Sequence, residues 1–133
     1  MPRAGGALVS ASMDTPNGRE LTTREREVLV AMITHAKPSH GSFEASERAA
    51  LLEKVDDLRV WGRCACGRCP SIDLGDASGE YASEGPRVVL DGWRVTDGLI
   101  LFVDNGLPTY LEQYSGTDDV FEEFAPVGEI EFS

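Results

Sequence analysis

Three cysteines, Cys64, Cys66 and Cys69, lie within six positions of a 133-residue chain that has no others, in the segment RCACGRCPS. Thiolates are preferred ligands of structural zinc, which takes four ligands in a tetrahedron. The cluster supplies three ligands, and the two histidines of the chain, His35 and His40, are candidates for the fourth. The spacing therefore leaves open a small zinc-dependent protein centred on this segment.

The same residues fit two other roles. Cys66 and Cys69 form a Cys-x-x-Cys pair, which is redox-active where it opens a helix whose N-terminus lowers the thiol pKa. Gly67 and Pro70 instead indicate a turn into a strand, where cysteine acts as a small buried apolar residue. We expect this structural role, with no metal or other cofactor, and keep zinc or thiol chemistry at this turn as the alternative.

No enzyme motif accompanies the cysteines. The sequence lacks the GxxxxGK[ST], HExxH and GxGxxG patterns, and no serine or cysteine has a histidine and an orienting acid in a recognisable arrangement. The pairs Asp118-Asp119 and Glu122-Glu123 lack the glycine-punctuated ligand spacing of an EF-hand calcium loop. We therefore expect that the protein is not an enzyme.

The elements that position these residues follow from the apolar periodicity. Residues 21–36 are predicted to form a helix, because Thr22 and Glu25 have capping-box spacing and apolar residues then recur at i, i+3, i+4 and i+7. The segment KPSHGS, with its proline and glycine, is predicted to end this helix. A second helix is predicted over residues 43–56, with Ser42 as its cap.

Beyond Asp57 the apolar period changes to two, which is typical of strands. Strands are predicted around Val60 and Ile72 and in the segments RVVLDGWRV, LILFV and LPTYLEQY, followed by a helical turn in TDDVFEEF and a last short strand in GEIEFS. Asp97-Gly98 and Asn105-Gly106 are predicted as hairpin turns, because both pairs accept positive φ angles. LILFV is apolar on both faces and is expected at the centre of the sheet.

This order of elements predicts an α+β domain, with two N-terminal helices packed on one face of a mainly antiparallel sheet of about five strands. Residues 21–133 are expected to form this single domain and residues 1–20 a flexible leader, in which Met13 could serve as the start. No apolar run approaches the ~20 residues that cross a bilayer, and the first residues lack a signal-peptide core. A cytoplasmic location is therefore expected.

Charge divides the chain into two unlike halves. Residues 1–70 hold ten basic and nine acidic residues, a net charge of +1, whereas residues 71–133 hold two basic and fourteen acidic residues, a net charge of −12. Such acidity disfavours nucleic acid and anionic membranes, which bind through cations, and favours a basic protein partner. The expected partner-binding residues are the acidic side chains Asp104, Glu112, Asp118, Asp119, Glu122 and Glu123.

Four aromatic residues, Trp61, Trp93, Tyr110 and Tyr114, lie on the predicted strands. Most aromatic side chains of strands belong to the core. A pair on an outward face beside the acidic residues would instead anchor an interface, because buried aromatic side chains provide much of the binding energy between proteins.

The succession of LTxRE…VL, GRCACGRCPS, IDL and DGLILFVDNGLPTYLEQYS resembles small bacterial proteins that carry a cysteine- and glycine-rich hairpin. In size, acidity and architecture the chain also resembles the immunity proteins encoded beside bacterial polymorphic toxins. The resemblance covers roughly residues 21–115. It implies no catalytic residue, and it implies a role in binding and neutralising a basic toxin.

Overall fold

The computed structural model describes residues 18–63, 70–76, 85–94, 97–115, 121 and 123–132. The elements are α1 (Thr23–His35), β1 (Lys37–His40), α2 (Ala45–Leu52), β2 (Arg59–Arg63), β3 (Ile72–Gly75), β4 (Arg87–Trp93), β5 (Asp97–Asp104) and β6 (Leu107–Ser115), with 3₁₀ turns at Val55–Asp57 and Val127–Glu129. The strands form one antiparallel sheet in the order β1-β4-β5-β6-β3-β2. The predicted α+β class is confirmed. None of the helices in the described part of the chain has the length and apolarity that crossing a membrane requires.

Helix α1 begins where its capping signal places it. The Glu25 N–H donates to Thr22 Oγ1 at 3.1 Å, and the Thr22 N–H donates to the Glu25 carboxylate at 2.9 Å. Arg19 donates to both oxygens of the same carboxylate and pairs its backbone with Val60 of β2. The last residues of the predicted leader, 18–20, are therefore attached to the fold.

Helix α2 is shorter than predicted. It begins after Glu44, whose N–H donates to the Glu47 carboxylate at 2.9 Å, so that Ser42 is not its cap. Past Leu52 the hydrogen bonds tighten to the i→i+3 type, from Lys54 to Leu51 and from Asp57 to Lys54. This tighter winding turns the chain toward β2 instead of continuing the helix to residue 56.

The segment KPSHGS, predicted as a loop, contributes strand β1 at one edge of the sheet. Lys37 pairs with Asp91 and His40 with Val89 of β4, and a bulge lies between Pro38 and His40. A proline is tolerated here because an edge strand leaves one row of N–H groups without a ladder partner. The sequence shows no apolar alternation in these residues because β1 is mostly exposed.

The two predicted hairpin turns have opposite outcomes. Asn105 and Gly106 have φ angles of 50° and 80° and connect β5 to β6, which confirms that prediction. The Asp97-Gly98 prediction is wrong, since both residues belong to β5 and neither has a positive φ. The Asp97 carboxylate is instead buried and hydrogen-bonded, and the Arg94 N–H closes the turn by donating to the Asp97 carbonyl at 2.8 Å.

The chain after β6 differs from the prediction where it is described. The segment GEIEFS is not a strand: after the turn at Val127–Glu129, only Glu131 forms a β-bridge, with Trp93. Most of the predicted helical turn TDDVFEEF lies outside the described residues.

The register assigns the central side chains to two faces. The helix face, which packs against α1 and α2, includes Ile72, Leu74, Val88, Leu90, Leu99, Leu101, Val103, Leu111 and Gln113. The opposite face, here called the open face, carries Asp73, Arg87, Val89, Asp91, Trp93, Gly98, Ile100, Phe102, Asp104, Tyr110, Glu112 and Tyr114. In the described part of the chain no helix packs on the open face. Strand β5 is central, as predicted, and its large apolar residues are fully buried only on the helix face, where Leu99, Leu101 and Val103 lie.

Candidate partner-binding surface

Asp104 lies at one end of the open face, and both of its carboxylate oxygens accept hydrogen bonds within the fold. Arg87 donates to both of its carboxylate oxygens, at 2.6 and 3.0 Å, and Thr109 Oγ1 donates at 2.7 Å. The hydrogen bonds from Arg87, with help from Thr109, hold the pKa of Asp104 below its usual value although burial acts against them. No basic residue follows Arg94 in sequence, yet β-pairing brings Arg87 to Asp104. Asp104 therefore contributes little free negative charge to a docking surface.

Glu112 and Glu123 are brought to different sides of the sheet. Glu112 lies on the open face, opposite Ile100, which in turn lies opposite Asp91. Glu123 is exposed on the helix side, 3.7 Å from Arg24 of α1. Asp118, Asp119 and Glu122 lie outside the described residues. Among the described residues, the expected surface therefore retains only Glu112 as an acidic residue of the open face without an ion pair.

Three acidic residues that the sequence interpretation did not select, Asp73, Asp91 and Glu131, share the open face with Glu112. Asp91 lies in β4 two positions before Trp93, and the alternation in RVVLDGWRV already places these two side chains together. Glu131 is the antiparallel bridge partner of Trp93, with backbone bonds of 2.8 and 2.7 Å, so its side chain lies on the same face. No local signal reveals Glu131, because this bridge joins segments that are far apart in sequence.

The C-terminal segment that carries Glu131 is held by buried polar contacts. The Gln113 side-chain amide donates to Asp97 at 2.8 Å, and its oxygen accepts the Ala125 N–H at 2.8 Å. Arg94 joins Asp97 to Glu129. These contacts fix the chain from Ala125 to Glu129 against the sheet and thereby position the bridge to β4.

Trp93, Gly98 and Tyr114 lie side by side across β4, β5 and β6. Trp93 is 45% exposed and is the large apolar side chain most open to solvent among the described residues. The Tyr114 ring crosses over Gly98 and fills the space that a β-carbon would occupy there. Glycine at position 98 therefore lets the tyrosine lie flat on the sheet next to the tryptophan.

Acidic groups surround the hydroxyl of Tyr114. Burial raises the pKa of this hydroxyl above its ordinary value, and the charges of Asp91, Glu112 and Asp97 raise it further. Asp91 and Glu112 therefore make this end of the open face a setting that favours cations.

Further along the face, Phe102 and Tyr110 pair across β5 and β6, with ring centroids 6.3 Å apart. The guanidinium of Arg87 lies 4.9 Å from the centroid of the Phe102 ring. The open face therefore combines half-buried aromatic rings with carboxylates. Trp61, in contrast, lies in edge strand β2 and donates its indole N–H to the Asp76 carbonyl at 2.9 Å.

The cysteines Cys64, Cys66 and Cys69 lie outside the described residues, so the zinc and thiol alternative stays a prediction. Their flanking strands, β2 and β3, are at the opposite edge of the sheet from β1, which carries His40. Four strands, about 24 Å of sheet, separate β1 from β2. His35 stacks on Phe132 near β4, at 5.7 Å between centroids. Both histidines therefore lie away from the β2–β3 edge of the sheet that flanks the cysteine segment.

Within the described ranges, no group of three or more histidine, cysteine, aspartate and glutamate side chains is arranged to hold a metal ion. Comparisons with protein-family models, with curated proteins and with solved structures find no match to this chain.

Proposed function

We propose that this chain is a cytoplasmic, non-enzymatic binding domain that docks a basic protein partner on the open face of its sheet. The observation that carries the proposal is the exposure of Trp93 in one row with Tyr114, on a face that also carries Phe102 and that no described helix covers. The carboxylates of Asp91 and Glu112 lie among these aromatic side chains.

The aromatic content of the open face favours binding over a purely structural role. An exposed tryptophan gives up hydrophobic stabilisation that burial against a partner would recover. Tryptophan and tyrosine are also the residues that most often provide the binding energy at protein interfaces.

Charge complementarity supports a basic partner. The chain carries a net charge of −11, and Asp73, Asp91 and Glu112 on the open face form no ion pair within the described residues. A negative surface speeds the encounter with a positive partner and repels acidic ones. An immunity protein that neutralises a basic toxin is the most specific form of this proposal, and a toxin gene beside the gene for this chain would support it.

The proposal is tested by reversing charge on one face at a time. The open-face variant is Asp91→Lys with Glu112→Lys, and the control is Glu20→Lys with Glu53→Lys, two exposed glutamates outside the open face. Both variants change the net charge by the same amount. Partners captured from the native host are identified by mass spectrometry, and association rates are then measured at low and physiological salt.

We expect the open-face variant to associate about tenfold more slowly than wild type at low salt, and the control to stay close to wild type. The difference shrinks at physiological salt, where the Debye length is about 8 Å. Trp93→Ala is expected to act mainly on the dissociation rate, because this residue contributes contact area.

An acidic captured partner would contradict the proposal. Equally slow association of both variants would also contradict it, because the effect would then depend on net charge and not on the open face. Circular dichroism melting curves of each variant confirm that the fold is retained.

A further inference from the structure

Two arginines of the described residues each lie over an aromatic ring while pairing with a carboxylate. Arg87 lies 4.9 Å from the Phe102 centroid and donates to Asp104. Arg94 lies 5.5 Å from the Phe121 centroid and donates to Asp97. The planar guanidinium suits this arrangement, because its face stacks on a ring while its N–H groups reach carboxylate oxygens at the edge.

The open face has a third set of the same components. We define the tryptophan–tyrosine cluster as Asp91, Trp93, Glu112, Tyr114 and Glu131. Register places Trp93 and Tyr114 in one row across the sheet, with Glu131 at the end of that row beside Trp93. Asp91 and Glu112 lie in the adjacent row. Within the described ranges, no arginine or lysine lies over either ring.

The nearest candidate cation of the same face does not complete the cluster. Lys37 of β1 is opposite Asp91 in register, at the edge of the sheet. No ion pair forms between Lys37 and a carboxylate of the described residues within 4.0 Å. The cluster thus keeps three carboxylates against one lysine, and the lysine lies on its margin.

We propose that the tryptophan–tyrosine cluster is a subsite for an arginine side chain of the partner. This inference rests on the proposed docking function. The guanidinium stacks on Trp93 or Tyr114 and donates hydrogen bonds to the flanking carboxylates. Arginine is favoured over lysine because it is less strongly hydrated and can stack and pair at the same time. Besides burial, the charges of Asp91 and Glu112 raise the pKa of Tyr114, and the same charges would attract the guanidinium.

The two tryptophans of the chain allow a direct test by NMR. The probes are the tripeptide acetyl-Gly-Arg-Gly-amide and its counterparts with citrulline or lysine in place of arginine. Citrulline keeps the shape of arginine but carries no charge. The indole N–H of Trp93 reports on the cluster, and that of Trp61, bonded to the Asp76 carbonyl, serves as an internal control.

We expect the arginine peptide to shift the Trp93 indole resonance saturably, with a Kd in the millimolar range, and to leave Trp61 in place. The citrulline peptide should bind at least about fivefold more weakly, and the lysine peptide should bind between the two. The double variant Asp91→Asn with Glu112→Gln should weaken binding of the arginine peptide about fivefold. The control variant Glu20→Gln with Glu53→Gln should change the Kd of this peptide less than about twofold.

Equal binding of the arginine and citrulline peptides, no shift of Trp93, or shifts of similar size at both indoles would overturn the inference. Equal binding of arginine and lysine would overturn the choice of arginine. If these peptides fail while the open-face variants still impair partner binding, the docking function stands and only the subsite is wrong. If the arginine peptide binds selectively but the open-face variants bind the partner as well as wild type does, the subsite exists and the docking function is wrong.

Discussion

The two faces of the sheet are formed by the same strands, but the helices cover only one of them. On β5, Leu99, Leu101 and Val103 are covered by the helices and are at most 2% exposed. Their neighbours Ile100 and Phe102, equally apolar, are only half-buried on the open face. The difference shows that the apolar content of a strand does not by itself indicate which face belongs to the core.

Polar residues follow the same division. On the helix face, Asp97 and Gln113 are buried, and each has hydrogen-bond partners that hold the C-terminal segment in place. On the open face, Asp91 and Glu112 are half-buried and form no ion pair among the described residues. Burial demands that a polar group be paired, whereas a solvated face can keep charge available for a partner.

The largest expected effect is a core truncation. Leu101→Ala should lower the free energy of unfolding by about 3 kcal/mol, because it leaves a cavity under the helices. Ile100→Ala, one residue earlier on the open face, should cost about 1 kcal/mol or less. Urea denaturation of both variants measures the difference. A similar loss in both would mean that the open face is covered within the molecule.

Replacing neighbouring polar residues on β6 should give the next largest contrast. Gln113→Leu removes the partner of the Asp97 carboxylate and of the Ala125 N–H, so we expect a loss of about 2 kcal/mol. Glu112→Leu should change the free energy of unfolding by less than about 0.5 kcal/mol. Denaturation midpoints of the two variants provide the measurement, and equal losses would argue against the division of β6 into a paired and a solvated face.

A smaller effect is expected from pH. Burial alone would raise the pKa of Glu25, but the hydrogen bonds from Arg19 and from the helix cap outweigh it and lower the pKa. The pKa of Asp104 is lowered by the hydrogen bonds that its carboxylate accepts from Arg87 and Thr109. Because both bind protons less readily when folded, they stabilise the protein above the unfolded carboxyl pKa of about 4, and this stabilisation is lost as the pH falls through their folded values.

We therefore expect the free energy of unfolding to decline as the pH falls below about 5, and to decline less steeply in Glu25→Gln and in Asp104→Asn. Denaturant titrations at several pH values test this. A pH dependence that is unchanged in both variants would show that other groups dominate it.

The smallest expected effect concerns metal. Apolar side chains of both helices and of the sheet form one continuous core, so the melting temperature should be the same with and without a strong chelator. Differential scanning calorimetry provides the comparison. A drop on chelation would instead favour zinc at Cys64, Cys66 and Cys69.

Local signals in the sequence were sufficient for much of the fold. The capping box of Thr22 and Glu25, the period-two alternation of β2 to β6 and the Asn105-Gly106 turn were all predicted, because each depends on contacts between residues that are near in sequence. The α+β class followed from the order of these elements. Strand β1 was missed because an exposed edge strand has no apolar alternation.

The tertiary structure alone decided how distant segments meet. It placed β3 between β6 and β2, brought Arg87 to Asp104, and put Glu131 beside Trp93. The acidic character of the C-terminal half is written in the sequence, but the side of the sheet on which each carboxylate lies depends on strand register and on where the helices pack. Both are set by long-range burial, which composition and spacing do not encode.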